Sequence, residues 1–203
     1  MGDLPWVWGA TPDEVAHRWP CDVLQPDPAV RLLRAVDVAA PPELVDAWLG
    51  NLRLAPYSYD LLDNLGRRSP RRLATHLPPL GVGDRVAGVF DVVEVAPGRG
   101  LTAATPPGSG AERAFGRVTM TYAVEPGRTA TRLLGVVRQG GRHGGGRGGG
   151  PGVVERSRSL ALAWGDLVMM RRQLHTLRDL AERDARDPRA RDGGDARDAG
   201  AGG

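Results

Sequence analysis

The sequence contains no lysine and no isoleucine, so all 27 basic side chains are arginines, and it has a single cysteine, Cys21. Lysine and isoleucine have AT-rich codons. Their absence beside abundant alanine, glycine and proline indicates a GC-rich bacterial genome rather than selection for arginine chemistry. One cysteine excludes an intrachain disulfide, and a chain without a disulfide framework fits a reducing compartment.

The charge balance gives no support for a nucleic-acid-binding protein, and the hydrophobic pattern argues against a membrane-spanning one. The formal net charge is only +3 over 203 residues, and acidic residues are interspersed throughout, so the pI of 9.7 does not by itself indicate nucleic-acid binding. No apolar run approaches the roughly 18–20 residues that span a bilayer. The first ten residues lack the basic region of an export signal. We expect a soluble cytoplasmic protein with no membrane span and no nucleic-acid partner, and nothing in the sequence names a protein partner.

Motifs for metals and cofactors are also missing. The four histidines are scattered and Cys21 has no neighbouring cysteine, so no metal-ligand spacing exists. Residues 81–83 (GVG) lack the third glycine and the following helix of a dinucleotide-binding loop. We expect neither a metal nor a cofactor.

The first half of the chain alternates between helix signals and one strand. Thr11, Pro12 and Glu14 form a helix start with a capping box, and a short helix to about Arg18 follows. Prolines make residues 19–29 an extended connector. Residues 30–38 read as the first strand. Residues 42–52 have an apolar stripe typical of a helix, and a second short helix is predicted at about 59–65.

From Asp84 the hydrophobic period changes to two, which indicates strands. The predicted strands span 84–95, 99–105, 113–124 and 129–138, and proline-glycine turns separate them. Consecutive strands with short turns imply an antiparallel meander. The helical period returns from about 154 to 184. The predicted inward stripe of this helix consists of Leu160, Trp164, Leu167, Val168, Leu174, Leu177 and Ala181.

Composition divides the chain into four parts. Residues 1–29 form an arm with a short helix, and residues 30–183 form the main domain. Within that domain, eight of the eleven residues from Gly140 to Gly150 are glycine, so 139–152 is predicted to be a flexible loop. The alternation of Asp, Arg, Ala and Gly over 184–203 predicts a disordered tail.

The element order and several local motifs together resemble the helix-grip fold of the START-like superfamily, also called the SRPBCC or polyketide-cyclase-like group. The order is strand, two helices, an antiparallel meander and one long helix. The motifs are residues 8–11 (WGAT), 37–43 (DVAAPPE), 57–60 (YSYD), 62–66 (LDNLG), 82–84 (VGD) and 164–167 (WGDL). The resemblance covers about residues 6–183. It implies an α+β fold in which a curved antiparallel sheet wraps around a long C-terminal helix.

The resemblance also implies an apolar cavity between the sheet and that helix, with a few polar groups that orient a ligand. The apolar and aromatic candidates for the cavity lining are Trp48, Phe90, Met120, Tyr122, Trp164 and Met169. The alternative is that these side chains simply fill the core, because aromatic residues and methionine at core spacing need no ligand to explain them.

A polar cluster lies on the loop and short helix expected at the cavity mouth. Its members are Tyr57, Tyr59, Asp60, Asp63 and Asn64. These groups suit ligand orientation, or acid–base chemistry if one pKa is shifted. The alternative is helix capping and packing, because an aspartate at a helix start is favourable without any function.

Three functions follow from these patterns. The first is binding or transport of a small hydrophobic ligand such as a lipid, a polyketide or an aromatic compound. The second is a cyclase or dehydratase, in which Asp60 with Tyr57 or Tyr59 would transfer protons. The third is a protein-interaction module with a vestigial cavity. The short inventory of polar groups favours binding over catalysis.

Overall fold

The computed structural model describes residues 4–58, 69–140 and 153–187. The predicted helix at 59–65, most of the predicted glycine-rich loop, and residues 188–203 of the predicted tail lie outside these ranges. Within the described residues, a seven-stranded sheet packs against a long C-terminal helix.

The sheet is a nearly continuous antiparallel meander. Its order is β1-β2-β7-β6-β5-β4-β3, and only β1 runs parallel to its neighbour. The strands are β1 (Val7–Trp8), β2 (Val30–Val38), β3 (Arg85–Val86), β4 (Phe90–Ala96), β5 (Gly100–Ala104), β6 (Val118–Pro126) and β7 (Thr131–Gln139). The predicted α+β class and helix-grip architecture are confirmed.

Five α-helices and one 3₁₀ turn flank this sheet in the described residues. They are α1 (Pro12–Ala16), α2 (Pro20–Leu24), α3 (Pro42–Gly50), the 3₁₀ turn Asn51–Arg53, α4 (Gly110–Phe115) and α5 (Val153–Arg186). The predicted capping box of α1 is present, because Thr11 and Glu14 each accept the other's backbone N–H.

Two short helices occupy segments where the sequence indicated other structure. α2 lies inside the predicted extended connector; Pro20 supplies its first position and Asp22 accepts the Trp19 N–H at 2.8 Å. α4 takes residues 110–115, of which 113–115 were assigned to a strand. Its cap is Ser109, whose hydroxyl accepts the Glu112 N–H at 3.1 Å. In both places a local cap outweighs the surrounding pattern.

The two faces of the sheet bury different elements. The inner face carries Leu32, Val36, Met120 and Tyr122, which join the main core beneath α3 and α5. The outer face carries Leu33 and Ala35 with Leu134 and Val136, and packs against Trp19 and Cys21 of the N-terminal arm. Cys21 N–H donates to Thr121 Oγ1 at 3.0 Å, which fixes α2 on β6. The arm is therefore packed on the sheet.

α5 turns inward only part of the predicted stripe, of which Leu167, Leu174, Leu177 and Ala181 are buried. Its buried residues recur at spacings of three and four: Ala163, Leu167, Met170, Leu174, Leu177 and Ala181. Trp164 and Val168 each follow a buried position by one residue, which places them about 100° around the helix. Leu160, Trp164 and Val168 are 44%, 47% and 50% exposed, so the inward assignment was wrong for these three residues. The helix also continues to Arg186, three residues into the predicted tail.

Candidate functional site

A row of paired residues crosses the inner face of the sheet beneath α5. Arg34 of β2 is paired with Gly135 of β7, and Gly135 is paired with Tyr122 of β6. Gly135 has no side chain, so α5 comes close at this point, and a Cβ there would lie 2.8 Å from Met170 Cε. Arg34 and Tyr122 therefore flank a point of close approach between α5 and the sheet.

Arg34 is a fully buried arginine in an otherwise apolar strand face. Its Nη1 donates to the carbonyls of Trp6 at 2.7 Å and Leu33 at 3.0 Å. Its Nη2 donates to Ala163 O at 3.4 Å and lies 3.0 Å from Asp166 Oδ2. Burial lowers the pKa of Arg34, and the Asp166 carboxylate opposes this effect. Among the described residues, Arg34 Nε has no hydrogen-bond partner.

Asp166 projects from α5 as the ion-pair partner of Arg34. Burial raises its pKa to about 6, although the charge of Arg34 opposes this effect. Asp166 Oδ2 is buried and accepts no hydrogen bond within the described residues, despite its short distance to Arg34. The Asp166 side chain is 23% exposed, so the Arg34–Asp166 pair lies at an edge of the interior.

Tyr122 forms the second polar group on this row. Its hydroxyl donates to Gln173 Oε1 at 2.6 Å and lies 3.7 Å from Met170 Sδ. Gln173 in turn donates to the carbonyl of Pro56. Burial raises the pKa of Tyr122 and the nearby charge of Asp166 raises it further, so the phenol stays protonated. We call Arg34, Asp166, Tyr122 and Gln173 the interior polar cluster.

Trp48 and Tyr57 are both inside the core. Trp48 is fully buried, and its indole Nε1 donates to Asp184 Oδ2 at 3.1 Å. The Tyr57 ring meets Trp48 edge-on at 6.1 Å, and its hydroxyl accepts a 3.1 Å hydrogen bond from Asn51 Nδ2. The predicted residues Tyr57 and Trp48 are thus brought together, at the end of the interior next to the 3₁₀ turn.

The other predicted site residues divide into three groups. Met120 is buried on the inner face and Phe90 is half-buried against the same core. Trp164 and Met169 are 47% and 45% exposed on α5, so their placement does not support the prediction that they line the interior. Four members of the predicted polar cluster lie outside the described residues: Tyr59, Asp60, Asp63 and Asn64.

The charged part of the interior polar cluster was not assigned a site role from the sequence. Arg34 occupies an inward position between Leu32 and Val36, so a charged residue that interrupts an apolar alternation was the available signal. Asp166 belongs to the WGDL motif, but its spacing alone does not tell which strand it faces. Gln173 carried no signal of its own.

A separate groove of about 310 Å³ lies on the outer face of the sheet, between the N-terminal arm and strands β4–β6. Trp19 and His17 stand edge-on to each other at 4.4 Å on one side. Gly100, Ala123 and Thr102 are among the small residues that line it. Charges of both signs surround it, which gives no preference for a charged ligand.

The described residues contain neither a cluster of metal ligands nor a membrane-spanning helix. Between 4 and 187, leaving out the two undescribed internal segments, no three His, Cys, Asp or Glu side chains are grouped as metal ligands. In the same part of the chain, none of the helices combines the length and the apolar character needed to cross a bilayer.

No family model matches the chain, and no curated protein sequence matches it. Solved structures with a similar fold exist at low identity. A protein from Arthrobacter aurescens is 13% identical, with a TM-score of 0.49, over 76% of this chain and 87% of that one. MLL2253 from Mesorhizobium loti is 18% identical, with a TM-score of 0.44, over 75% and 97%.

The di-domain ARO/CYC protein StfQ from the steffimycin biosynthetic pathway is also similar. It is 13% identical, with a TM-score of 0.45, over 80% of this chain and 54% of that one. Likeness at this level concerns the fold alone. The strand order and the long last helix are those of the predicted helix-grip fold.

Proposed function

We propose that this helix-grip chain binds a small, mainly apolar molecule between the inner face of the sheet and α5, with the interior polar cluster fixing its orientation. One observation carries the proposal: Arg34 Nε and Asp166 Oδ2, on two side chains that form an ion pair, are buried without a hydrogen-bond partner among the described residues. An unsatisfied buried polar atom costs about 1–3 kcal/mol. A bound molecule that supplies the missing partners would recover that cost.

The surroundings favour an apolar body for such a molecule. Met120, Leu101 and Leu174 share the buried core with Tyr122 and present no polar atoms except the methionine sulfur. Sites for small molecules in proteins combine predominantly apolar walls with a few placed polar groups. Met120 and Met170 are flexible side chains that adapt to an inserted molecule at low cost.

The tyrosines and acids predicted at the mouth remain part of the proposal. Tyr57 is buried against Trp48, and the chain continues from it directly to Tyr59 and Asp60. We expect Tyr59→Phe with Asp60→Asn to weaken ligand binding and to change the unfolding temperature little. Unaltered binding by this double variant would remove Tyr59 and Asp60 from the site and leave the interior polar cluster as its polar part.

Native mass spectrometry of the purified full chain, followed by denaturing extraction, tests the proposed function. We expect a stoichiometric apolar adduct whose mass is recovered in the extract. The variant Arg34→Met with Asp166→Leu replaces the ion pair with apolar side chains of similar size, a change that buried pairs often tolerate. Retention of the same adduct at the same occupancy by this variant would contradict a role for the pair in binding.

Proton-transfer catalysis is a second candidate, and the pair formed by Arg34 and Asp166 favours it. A carboxyl group with a pKa of about 6 beside a guanidinium suits general acid–base chemistry near neutral pH. If an extracted molecule is identified, incubation with its unreacted precursor distinguishes binding from turnover. Product formation that is lost in Asp166→Asn would support the enzyme, and an unchanged precursor would support the carrier. The cytoplasm remains the proposed compartment.

A further inference from the structure

We infer that the head group of the bound molecule is uncharged and presents a hydrogen-bond acceptor next to a hydrogen-bond donor, as a primary amide does. This inference rests on the proposed function and specifies its ligand. The reason is the pattern of free atoms at the Arg34–Asp166 pair. Arg34 Nε offers one N–H, and Asp166 Oδ2 offers one acceptor, on two side chains in direct contact.

The two terminal nitrogens of the Arg34 guanidinium are already engaged. Both N–H groups of Nη1 have carbonyl partners, at Trp6 and Leu33. Nη2 donates to Ala163 O and lies 3.0 Å from Asp166 Oδ2 in the ion pair. A carboxylate or phosphate is bound strongly by arginine when two parallel N–H groups reach it. A bidentate anion would need Nη2 as well as Nε, and Nη2 already lies in the ion pair with Asp166.

The two opposite charges of the Arg34–Asp166 pair also favour an uncharged head group. Asp166 Oδ2 lies 3.0 Å from Arg34 Nη2, so the two formal charges offset each other. An anionic head at Nε would also approach the Asp166 carboxylate, and a cationic head at Oδ2 would approach the guanidinium. Burying a charge without a compensating partner costs much more than burying a neutral hydrogen-bonded group. A neutral head that accepts from Nε and donates to Oδ2 satisfies both atoms.

The position of the pair makes this contact geometrically reasonable. Arg34 is fully buried, whereas Asp166 keeps 23% of its side-chain exposure on α5. A head group that reaches Asp166 from this edge meets Arg34 next. Tyr122, which lies on the same row, and Gln173 of α5 are already hydrogen-bonded to each other at 2.6 Å. They therefore leave the recognition of the head group to the pair.

Four probes that share a ten-carbon chain and differ in their head group test the inference. They are decanamide, methyl decanoate, decanoate and decylammonium. Binding to the full-length protein is measured by titration at pH 8, where Asp166 is ionised. We expect decanamide to bind at least about tenfold more tightly than methyl decanoate, which lacks the donor, because one hydrogen bond to a charged group is lost. We expect decanoate and decylammonium to bind more weakly than decanamide.

The substitution Asp166→Asn should reverse the order of affinity of decanoate and decanamide. It leaves the Arg34 charge without its carboxylate, so decanoate should overtake decanamide. Asp179→Asn is the matched control on the same helix, because Asp179 is 64% exposed in its side chain and pairs only with its neighbour Arg178 in the described contacts. If Asp166→Asn does not fold, Arg34→Met with Asp166→Leu replaces it, and the four affinities should then converge.

The outcomes separate the two proposals. Binding of all four probes with equal affinity, or a preference for decanoate in the wild-type protein, overturns the inference on the head group and leaves apolar-ligand binding standing. An unchanged probe order in both pair variants also overturns it. Binding of none of the probes by the wild-type protein overturns both proposals.

Discussion

Trp48 of α3 and Asp184 of α5 are joined by a buried hydrogen bond of 3.1 Å from the indole Nε1 to Oδ2. They are 136 positions apart in the chain, and neither side chain is exposed. Asp184 Oδ1 also accepts from Arg183 Nε at 2.8 Å. The hydrogen bond between Trp48 and Asp184 holds the C-terminal end of α5 against α3. The last turn of α5 is thus part of the core rather than of a tail.

Loss of that hydrogen bond should be measurable as loss of stability. Trp48→Phe keeps an aromatic ring but removes the donor, and leaves a buried carboxylate oxygen without its partner. We expect it to lower the free energy of unfolding by about 1–3 kcal/mol. Trp164→Phe, on the exposed face of α5, should change it by less than about 0.5 kcal/mol. Urea unfolding at pH 7 measures both, and equal losses would contradict the placement of Trp164.

Gly100 should tolerate no side chain, whereas Gly98 in the same turn should tolerate one. Both have positive φ values, of 112° and 74°. A Cβ at Gly100 would lie 2.0 Å from the carbonyl oxygen of Tyr122, while nothing lies within 4 Å of one at Gly98. We expect Gly98→Ala to cost about 1 kcal/mol for its backbone conformation. Gly100→Ala should cost at least about 2 kcal/mol more, because β5 and β6 must separate.

Thermal unfolding of both alanine variants checks this difference. Similar unfolding temperatures for Gly98→Ala and Gly100→Ala would show that β5 and β6 do not approach each other as closely as described.

Asp166 should make its own contribution to the pH dependence of stability. Its pKa is raised from 3.8 in the unfolded chain to about 6 in the folded protein, chiefly by burial. Between these values the folded state binds more protons than the unfolded state, so this contribution falls as pH rises from about 4 to about 6. It is constant above that window.

The slope attributable to Asp166 is obtained from a comparison with Asp166→Asn. Free energies of unfolding at several pH values between 4 and 7 are measured for both proteins. Asp166→Asn is expected to be less stable at pH 7, because Arg34 loses its partner, and its curve should lack the decline between pH 4 and 6. A wild-type curve that rises more steeply than that of the variant in this window would mean that Arg34 outweighs burial and lowers the pKa of Asp166.

The pKa of Asp22 is shifted in the opposite direction to that of Asp166. Burial alone would raise its pKa, but hydrogen bonds from Arg31, the Trp19 backbone and Arg138 outweigh burial and lower it. Its stabilising contribution is therefore present above the unfolded-state pKa of 3.8 and is lost as pH falls through the lower folded value. Asp22→Asn should cost about 3–5 kcal/mol at pH 7, because two arginines lose a buried partner.

Asp37→Asn is the matched control for Asp22. Asp37 also pairs with an arginine, Arg132, at 3.0 Å, but its side chain is 71% exposed. Exposed ion pairs contribute about 0–1 kcal/mol, so this substitution should have little effect. Equal losses of unfolding free energy in the two variants would contradict the burial of Asp22 and its partner Arg138 between α2 and β7.

The sequence predicted the strands well because their signals are local. Alternating apolar residues and proline-glycine turns place β2, β5 and β7 within two residues of their observed bounds. β3 and β4 were predicted as one strand, and the positive φ of Ala87 and Gly88 separates them. α2 and α4 were missed because their caps stand among prolines and glycines that indicate loops.

The inward face of α5 could not be fixed from its sequence. From Leu160 to Met170 every residue except Gly165 and Asp166 is apolar, so several faces of the helix satisfy the same pattern. The choice depends on Gly135, which admits Met170, and on Arg34, which engages Asp166. Both residues lie on strands that are distant in the sequence. The interior polar cluster is therefore a product of the sheet order, which brings β2, β7 and β6 side by side.

That same sheet order bears on how the chain is made. β2 is paired along all nine of its residues with β7, and the two strands are about a hundred positions apart. A ribosome that adds roughly 5–20 residues per second needs on the order of 5–20 s to deliver the second strand after the first. For that time the apolar alternation of β2, and the charge of Arg34 within it, have no sheet neighbour on that side. The nascent chain has to remain unassembled at its first long strand until its last one emerges.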